Sequence, residues 1–167
     1  VVSGRTSCNN PNLQQVPRTK DIRGLFSGAP GMILFEADYS QLELRIAAHY
    51  ANDKTMLRIY HNNGDIHTET AKLFTNGREP TKEERGKAKA VNFGVVYGMS
   101  GFGLGESLRI TRSDAQRYIN DYFAKHTAVK DYLDKQIETG EEKREVRTYF
   151  GRVRKLPEFA SRKFMER

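Results

Sequence analysis

RGKAKAVNFGVVYG, residues 85–98, sets Arg85, Lys89, Phe93 and Tyr97 at intervals of four. Side chains at i and i+4 are neighbours on a helix surface. The spacing therefore predicts a helix bearing two cations and then two aromatic rings on one stripe, about 18 Å long at ~1.5 Å rise per residue. Each step of four overshoots a turn by about 40°, so the stripe drifts while Ala88, Val91, Val95 and Met99 gather on a roughly opposite face. One face packs and the other offers chemistry for a phosphorylated, ring-bearing ligand such as a nucleoside triphosphate. Taken singly, each of these residues would equally suit an amphipathic surface helix with solvated cations and half-buried rings.

Pro80 and then Thr81-x-x-Glu84 predict a capping box and a helix start near Lys82. Within that helix each glycine costs roughly 1 kcal/mol against alanine. Gly94 therefore predicts close approach of a neighbour, and Gly98 a frayed or capped end.

Working outward, MILFEADY (residues 32–39) has a short apolar run before its acidic positions and reads as a buried strand ending at Asp38. Ser40-x-x-Glu43 reads as a second capping box, opening a helix to about Tyr50 or Ala51 with Leu42, Ile46 and Tyr50 at helical spacing. Short helices are expected over residues 54–60 and 65–74, separated by the turn-rich stretch 61–64. GFGLG (101–105) reads as a glycine-rich connection. Thr111-x-x-Asp114 caps a core helix containing Ala115, Tyr118, Ile119, Tyr122 and Phe123. A further helix is expected from Val129 to about Lys143, and RTYFGRVRKL (147–156) reads as a β-hairpin turning near Gly151. Residues 3–25, rich in Asn, Gln, Pro and Arg, read as extended or loop structure.

The 167 residues are enough for one domain with a real core, and 28 Lys plus Arg against 21 Asp plus Glu give a net charge of +7. That excess fits a polyanion such as nucleic acid, and would also serve solubility or a membrane surface. With Cys8 as the single cysteine, no internal disulfide and no cysteine-based zinc site can form, consistent with a reducing compartment. No apolar run approaches the ~18 residues of a membrane span, so a soluble protein with no membrane partner is expected. The absence of an initial Met and a closing segment, 162–167, that reads as a charged helix in mid-course suggest a piece of a longer chain.

Asp38, at a strand end, is where a metal-binding carboxylate would sit in a phosphoryl-transfer enzyme, and equally where a turn residue would. Together DYSQLELR (38–45) and RGKAKAVNFGVVYG (85–98) resemble motifs A and B of family A DNA polymerases, the bacterial DNA polymerase I group. SGRTSCNNPNLQQVPRT (3–19), GDIHTETAKLF (64–74) and FGRVRKLPE (150–158) resemble further family segments in the right order, so the resemblance spans essentially the whole chain.

The resemblance implies an α/β (α+β) fold: a partial palm over 1–48 with motif A on a sheet strand, mostly helical fingers over 49–140, and a return to the palm over 141–167. It implies that Asp38 and the Tyr39 carbonyl hold Mg²⁺, two ions in the intact enzyme. Arg85 and Lys89 would clamp the triphosphate of a dNTP, Lys89 acting with Asp38 in catalysis, as the fingers rotate. His67 would add a phosphate contact, although a His on a short helix is as readily structural. Glu43 and Tyr97 would close the sugar pocket against a ribose 2′-hydroxyl, a role compatible with Glu43 in a capping box. Phe93 would stack near the sugar and base. Lacking the hydroxyl of a Tyr, it implies discrimination against dideoxynucleotides. Gln41 would contact the nucleotide at the active-site junction. Arg5, Asn12 and Gln14 would meet the primer-template DNA in the minor groove, whose acceptors are nearly sequence-independent, and Arg152 its backbone.

The family's second catalytic aspartate, in a His-Asp-Glu motif C, follows later than Arg167, and its thumb and exonuclease regions precede Val1. The resemblance thus implies that the rest of the polymerase chain is a partner and that the isolated piece has negligible activity. It implies a location in the cytoplasm or nucleoid of a bacterium or in a virus-infected host cell. A single-subunit RNA polymerase shares the Lys and Tyr-Gly of motif B, but Glu43 fits the DNA enzyme better. A non-catalytic nucleic-acid-binding module would explain the charge and leave Asp38 without a task. A helical interaction protein would not explain segment 3–19.

Overall fold

A computed structural model describes residues 4–160. Residues 4–41 are mostly irregular, with a 3-10 turn at Leu13–Gln15 and the one-turn helix α1 at Lys20–Arg23. Seven further α-helices follow among the described residues, α2 (Leu42–Ala51), α3 (Lys54–His61), α4 (Ile66–Phe74), α5 (Lys82–Val96), α6 (Gly101–Leu108), α7 (Arg112–Lys125) and α8 (Thr127–Lys143), with a second 3-10 turn at Pro157–Ala160. β1 (Glu145–Arg147) and β2 (Val153–Lys155) close an antiparallel hairpin in the register Glu145↔Lys155, Val146↔Arg154 and Arg147↔Val153, with Gly151 in the left-handed region at φ +81°. The fold is α+β and mostly helical. No helix among the described residues is long and apolar enough to cross a membrane.

Local cap chemistry starts most of these helices. Thr81 and Glu84 form the reciprocal box expected of them: the Thr81 N–H donates to Glu84 Oε2 at 2.7 Å and the Glu84 N–H to Thr81 Oγ1 at 3.2 Å. Asp53, Asp65, Ser100 and Thr111 likewise accept from the first turns of α3, α4, α6 and α7.

The helices build two cores. Leu44 and Ala48 of α2 pack with Met56, Tyr60, Ile66 and Val129. Val91 and Val95 of α5 pack with Leu104, Ala115, Ile119 and Tyr122. Helix α5 belongs to both, because Phe93 and Val96 lie against the first core while Val91 and Val95 sit in the second. As its sequence predicts, Gly94 is buried at a close approach: a Cβ there would stand 3.3 Å from Met99 Sδ. Gly98, just past the helix, adopts φ +70°. The Nδ1 of buried His126 lies 3.2 Å from Asp53 Oδ1, tying the α7–α8 junction to the α2–α3 turn.

Four expectations are corrected. Residues 32–39 form no strand and pair with nothing, with Ile33 91% and Phe35 82% exposed, so motif A does not lie on a sheet strand here, and the β1–β2 hairpin is the only sheet among the described residues. A strand needs a ladder, and no described segment lies alongside to supply one. Ser40 and Glu43 form no capping box: Gln41 is the N-cap of α2, in the left-handed conformation at φ 56°, without a side-chain cap bond. GFGLG is helical rather than a connection, since Ser100 caps it and Gly101 lets α6 press onto α7, where a Cβ would fall 2.8 Å from Gln116 Oε1. Short helical turns at 13–15 and 20–23 interrupt the expected loop. The helix expected over 162–167 lies outside the described residues.

Leu44, fully buried between α2 and its neighbours, tests the first core. Leu44→Ala is expected to cost about 3 kcal/mol, by lost transfer energy plus a cavity, read as a lowered urea midpoint with unchanged helical circular dichroism in the folded baseline.

Candidate functional site

A cleft of about 490 Å³ lies between the entry to α2 and one face of α4 and α5. Residues 38–43 line one side, and His67, Arg85, Lys89 and Phe93 the other. Because α5 is held on both sides by core residues, its remaining stripe is turned to the cleft, and Arg85, Lys89 and Phe93 enter it one turn apart.

Asp65, the N-cap of α4, holds two of the lining residues, Gln41 and Arg85, through its carboxylate. Its carboxylate accepts from the Gln41 side-chain amide at 3.1 Å, the His67 N–H at 3.1 Å, the Thr68 hydroxyl at 2.9 Å and Arg85 Nε at 2.5 Å. Partial burial pushes this carboxyl up, but the bonds from Arg85, Thr68 and His67 together outweigh it and hold it at about 2. Gln41 thus has its amide nitrogen engaged, while its Oε1 is buried with no hydrogen-bond partner among the described residues. A left-handed non-glycine residue with an orphaned acceptor is a strained element, and it lines the cleft.

His67 is 3% exposed, and its ring is held between two consecutive residues of α5. Asn92 Nδ2 lies 2.9 Å from His67 Nδ1, the Thr70 hydroxyl donates to Asn92 Oδ1 at 3.0 Å, and the Phe93 ring is tilted against the imidazole at 5.8 Å between centroids. Burial lowers the imidazole, Asp65 raises it, and the cations Arg85 and Lys89 lower it again, leaving it at about 4. The ring is therefore neutral at pH 7. Lys89 makes no ion pair among the described residues, so the cleft holds one cation balanced by Asp65 and one that is not.

Further along the stripe, Phe93 and Tyr97 stack at 6.5 Å and 16°. The Tyr97 hydroxyl donates to Glu43, Arg5 pairs with Glu43, and Arg5 Nη2 donates to Tyr97 Oη at 3.3 Å. This triad ties the start of the chain, motif A and motif B together. Bonding to the Glu43 carboxylate, and then burial, push the Tyr97 phenol up.

The structure thus brings Asp38, Tyr39, Gln41, Glu43, His67, Arg85, Lys89 and Phe93 to one cleft and joins Tyr97 and Arg5 to it through Glu43. It does not bring Asn12, Gln14 or Arg152 there. Asn12 accepts from the Gln14 N–H at 3.2 Å, Gln14 Nε2 donates to the Thr6 carbonyl at 3.1 Å, and the Arg152 guanidinium lies over Gly4. Asp38 and the Tyr39 carbonyl are hard oxygen donors of the kind Mg²⁺ takes, and they fit such an ion as part of a ligand set. Among the described residues no group of three metal-ligating side chains comes together.

Sequence reasoning missed Asp65, Thr70 and Asn92. Asp65 carries a signal, a cap residue immediately before a helix. Asn92 carries a weaker one, a polar residue beside Val91 on the packing side of the helix.

These features define a charged cleft set between the helices of an α+β fold, and similarity to known proteins specifies the class. The chain matches the model of DNA polymerase family A over residues 1–167. It is 41% identical to DNA polymerase I of Caldicellulosiruptor bescii over 167 residues, 96% of this chain and 20% of that protein. It is 43% identical to DNA polymerase I of Chloroflexus aurantiacus over 162 residues, 92% of this chain and 17% of that protein. A solved structure described as the POL domain of Pol1 from M. smegmatis, in complex with DNA primer-template and dNTP, superposes with a TM-score of 0.87 and 32% identity, covering all of this chain and 31% of the other. The chain belongs to DNA polymerase family A, and it spans about a fifth of the length of these curated relatives.

The His67 environment predicts a pH dependence. Its folded value of about 4 lies below the ordinary 6.5, so the unfolded chain binds more protons between those values. The contribution to stability is fully present above about pH 6.5 and is lost as pH falls through about 4, with buried His126 shifted in the same direction. An NMR titration is expected to place the His67 midpoint near 4, and His67→Gln to flatten the fall in urea midpoint between pH 6.5 and 4.

Proposed function

We propose that the cleft binds the triphosphate of a deoxynucleoside triphosphate and that the intact protein is a template-directed DNA polymerase. The observation that carries this reading is the arrival of Arg85, Lys89 and His67 in one cleft with Asp38. Two cations and a neutral N–H donor face a carboxylate across a space of nucleotide size, with the Phe93 ring beside them. The similarity to a polymerase domain described with primer-template and dNTP supports it.

In this reading Arg85 and Lys89 neutralise the charge that moves onto the leaving pyrophosphate oxygens, and His67 donates to a phosphate oxygen. Asp38 and the Tyr39 carbonyl contribute oxygens to Mg²⁺, which when bound lowers the pKa of the primer 3′-hydroxyl and stabilises the leaving group. Phe93 stacks near the sugar and base, Gln41 shapes the junction, and Glu43 joined to Tyr97 walls off the space a ribose 2′-hydroxyl would need. That contact also favours the DNA enzyme over a single-subunit RNA polymerase. Arg5, Asn12 and Gln14 face the primer-template minor groove, and Arg152 its backbone. Residues 1–48 and 141–167 belong to a palm and 49–140 to the fingers, which carry α5 toward Asp38. The thumb and motif C of the longer chain complete the enzyme, so the 167 residues alone have negligible activity. The protein works in the cytoplasm or nucleoid of a bacterium, or in a virus-infected host cell.

In the intact enzyme Lys89→Ala is expected to lower kcat for primer extension by about a hundredfold to a thousandfold, as for loss of one donor at developing charge. Asp38→Ala is expected to abolish extension, and unimpaired extension by that variant would instead favour a non-catalytic binding module. Phe93→Tyr is expected to raise dideoxynucleotide incorporation relative to deoxynucleotide in a chain-termination assay, because the added hydroxyl replaces the missing 3′-hydroxyl.

A further inference from the structure

We propose that Asn92, backed by Thr70, is a positioning residue that fixes His67 as the neutral imidazole protonated on Nε2, so that its single N–H is offered to a phosphate oxygen in the cleft. The proposal rests on the triphosphate reading of that cleft.

Asn92 is fully buried next to Val91, and a polar side chain placed there costs stability unless both ends of its amide are bonded. Both are. The Thr70 hydroxyl, 1% exposed, donates to Oδ1, which leaves the NH₂ group to face the ring. An NH₂ group can only donate, so the ring nitrogen it meets, Nδ1 at 2.9 Å, must be the bare one, and the proton resides on Nε2. Burial and the cations Arg85 and Lys89 keep the ring from taking a second proton, against the opposing pull of Asp65. Phe93, the next residue of α5, holds the ring plane from the side.

The functional logic follows from phosphate chemistry. A phosphate oxygen only accepts, so the opposite tautomer would turn a lone pair toward it and repel it. Arg85 and Lys89 already supply positive charge, and His67 adds a directed donor without adding a third. Thr70 on α4 and Asn92 on α5 thereby decide which edge of His67 carries the proton.

The test uses the intact polypeptide with isotopically labelled histidine. Two-bond ¹H–¹⁵N correlation at pH 7 is expected to show His67 as the Nε2–H tautomer in the parent and in Thr70→Ser. Thr70→Val, which removes the hydroxyl at nearly constant shape, is expected to show a mixed population, and Asn92→Asp a ring that stays protonated to higher pH. In primer extension the KM for dATP is expected to rise about fivefold in Thr70→Val and about tenfold in Asn92→Ala, with the parent value restored in Thr70→Ser. Should Asn92→Ala fail to fold, the Thr70 pair carries the test. Finding the parent ring as the Nδ1–H tautomer overturns the proposal. So does an unchanged KM in Thr70→Val or Asn92→Ala while His67→Ala is impaired, and the triphosphate reading then stands. An unchanged KM in His67→Ala as well overturns the proposal together with the role that reading gives His67.

Discussion

Helix α5 is packed from two directions, and everything at the cleft depends on that. Val91 and Val95 are locked into one core and Phe93 and Val96 lie against the other, so the helix cannot roll without uncovering apolar surface on one side. Each buried Val contributes about 1.5–3 kcal/mol relative to exposure. Gly94 lets Met99 close in where a side chain would push its sulfur back by a few tenths of an ångström. The stripe of Arg85, Lys89 and Phe93 is thereby aimed first by apolar packing on its flanks.

The polar chemistry acts at the next level. Asp65 starts α4, receives Arg85 and holds the Gln41 amide, so one carboxylate links the motif A turn, the His67 helix and the motif B helix. A second junction, of Arg5, Glu43 and Tyr97, links residues far apart in the chain. Beside the first lies the buried neutral imidazole of His67. Packing, ion pairing and hydrogen-bond direction thus act on the same few residues from different sides.

What was legible in the sequence is what local physics decides. The Thr81–Glu84 box, the Thr111 cap, the hairpin around Gly151 and the four-residue ladder each need only a few neighbouring residues to form. Apart from the short local turns at 13–15 and 20–23, the failures involve distant partners. Residues 32–39 have the composition of a strand, but a strand exists only by pairing. Glu43 could have capped α2 with Ser40, yet its carboxylate is taken by Arg5 and Tyr97, and Gln41 adopts a left-handed turn in the cap position. GFGLG looks like a linker by propensity and becomes a helix because its glycines let α6 lie close against α7. Most of the candidate site was readable as residue types at helical spacing. Asp65, Thr70 and Asn92 were not, because their importance lies in what they hold.

The pairing of Arg85 with Asp65 gives the cleft a threshold. An anion that approaches Arg85 meets a cation already balanced by a carboxylate, so a singly charged species gains little by displacing it. Under the proposed reading, a polyanion that reached Lys89 and Arg85 together, with a donor on His67, would recover more than the internal pair surrenders. Under the proposed triphosphate reading, the Arg85 side of the cleft would therefore favour a ligand that brings several negative oxygens on one backbone over a small monovalent anion.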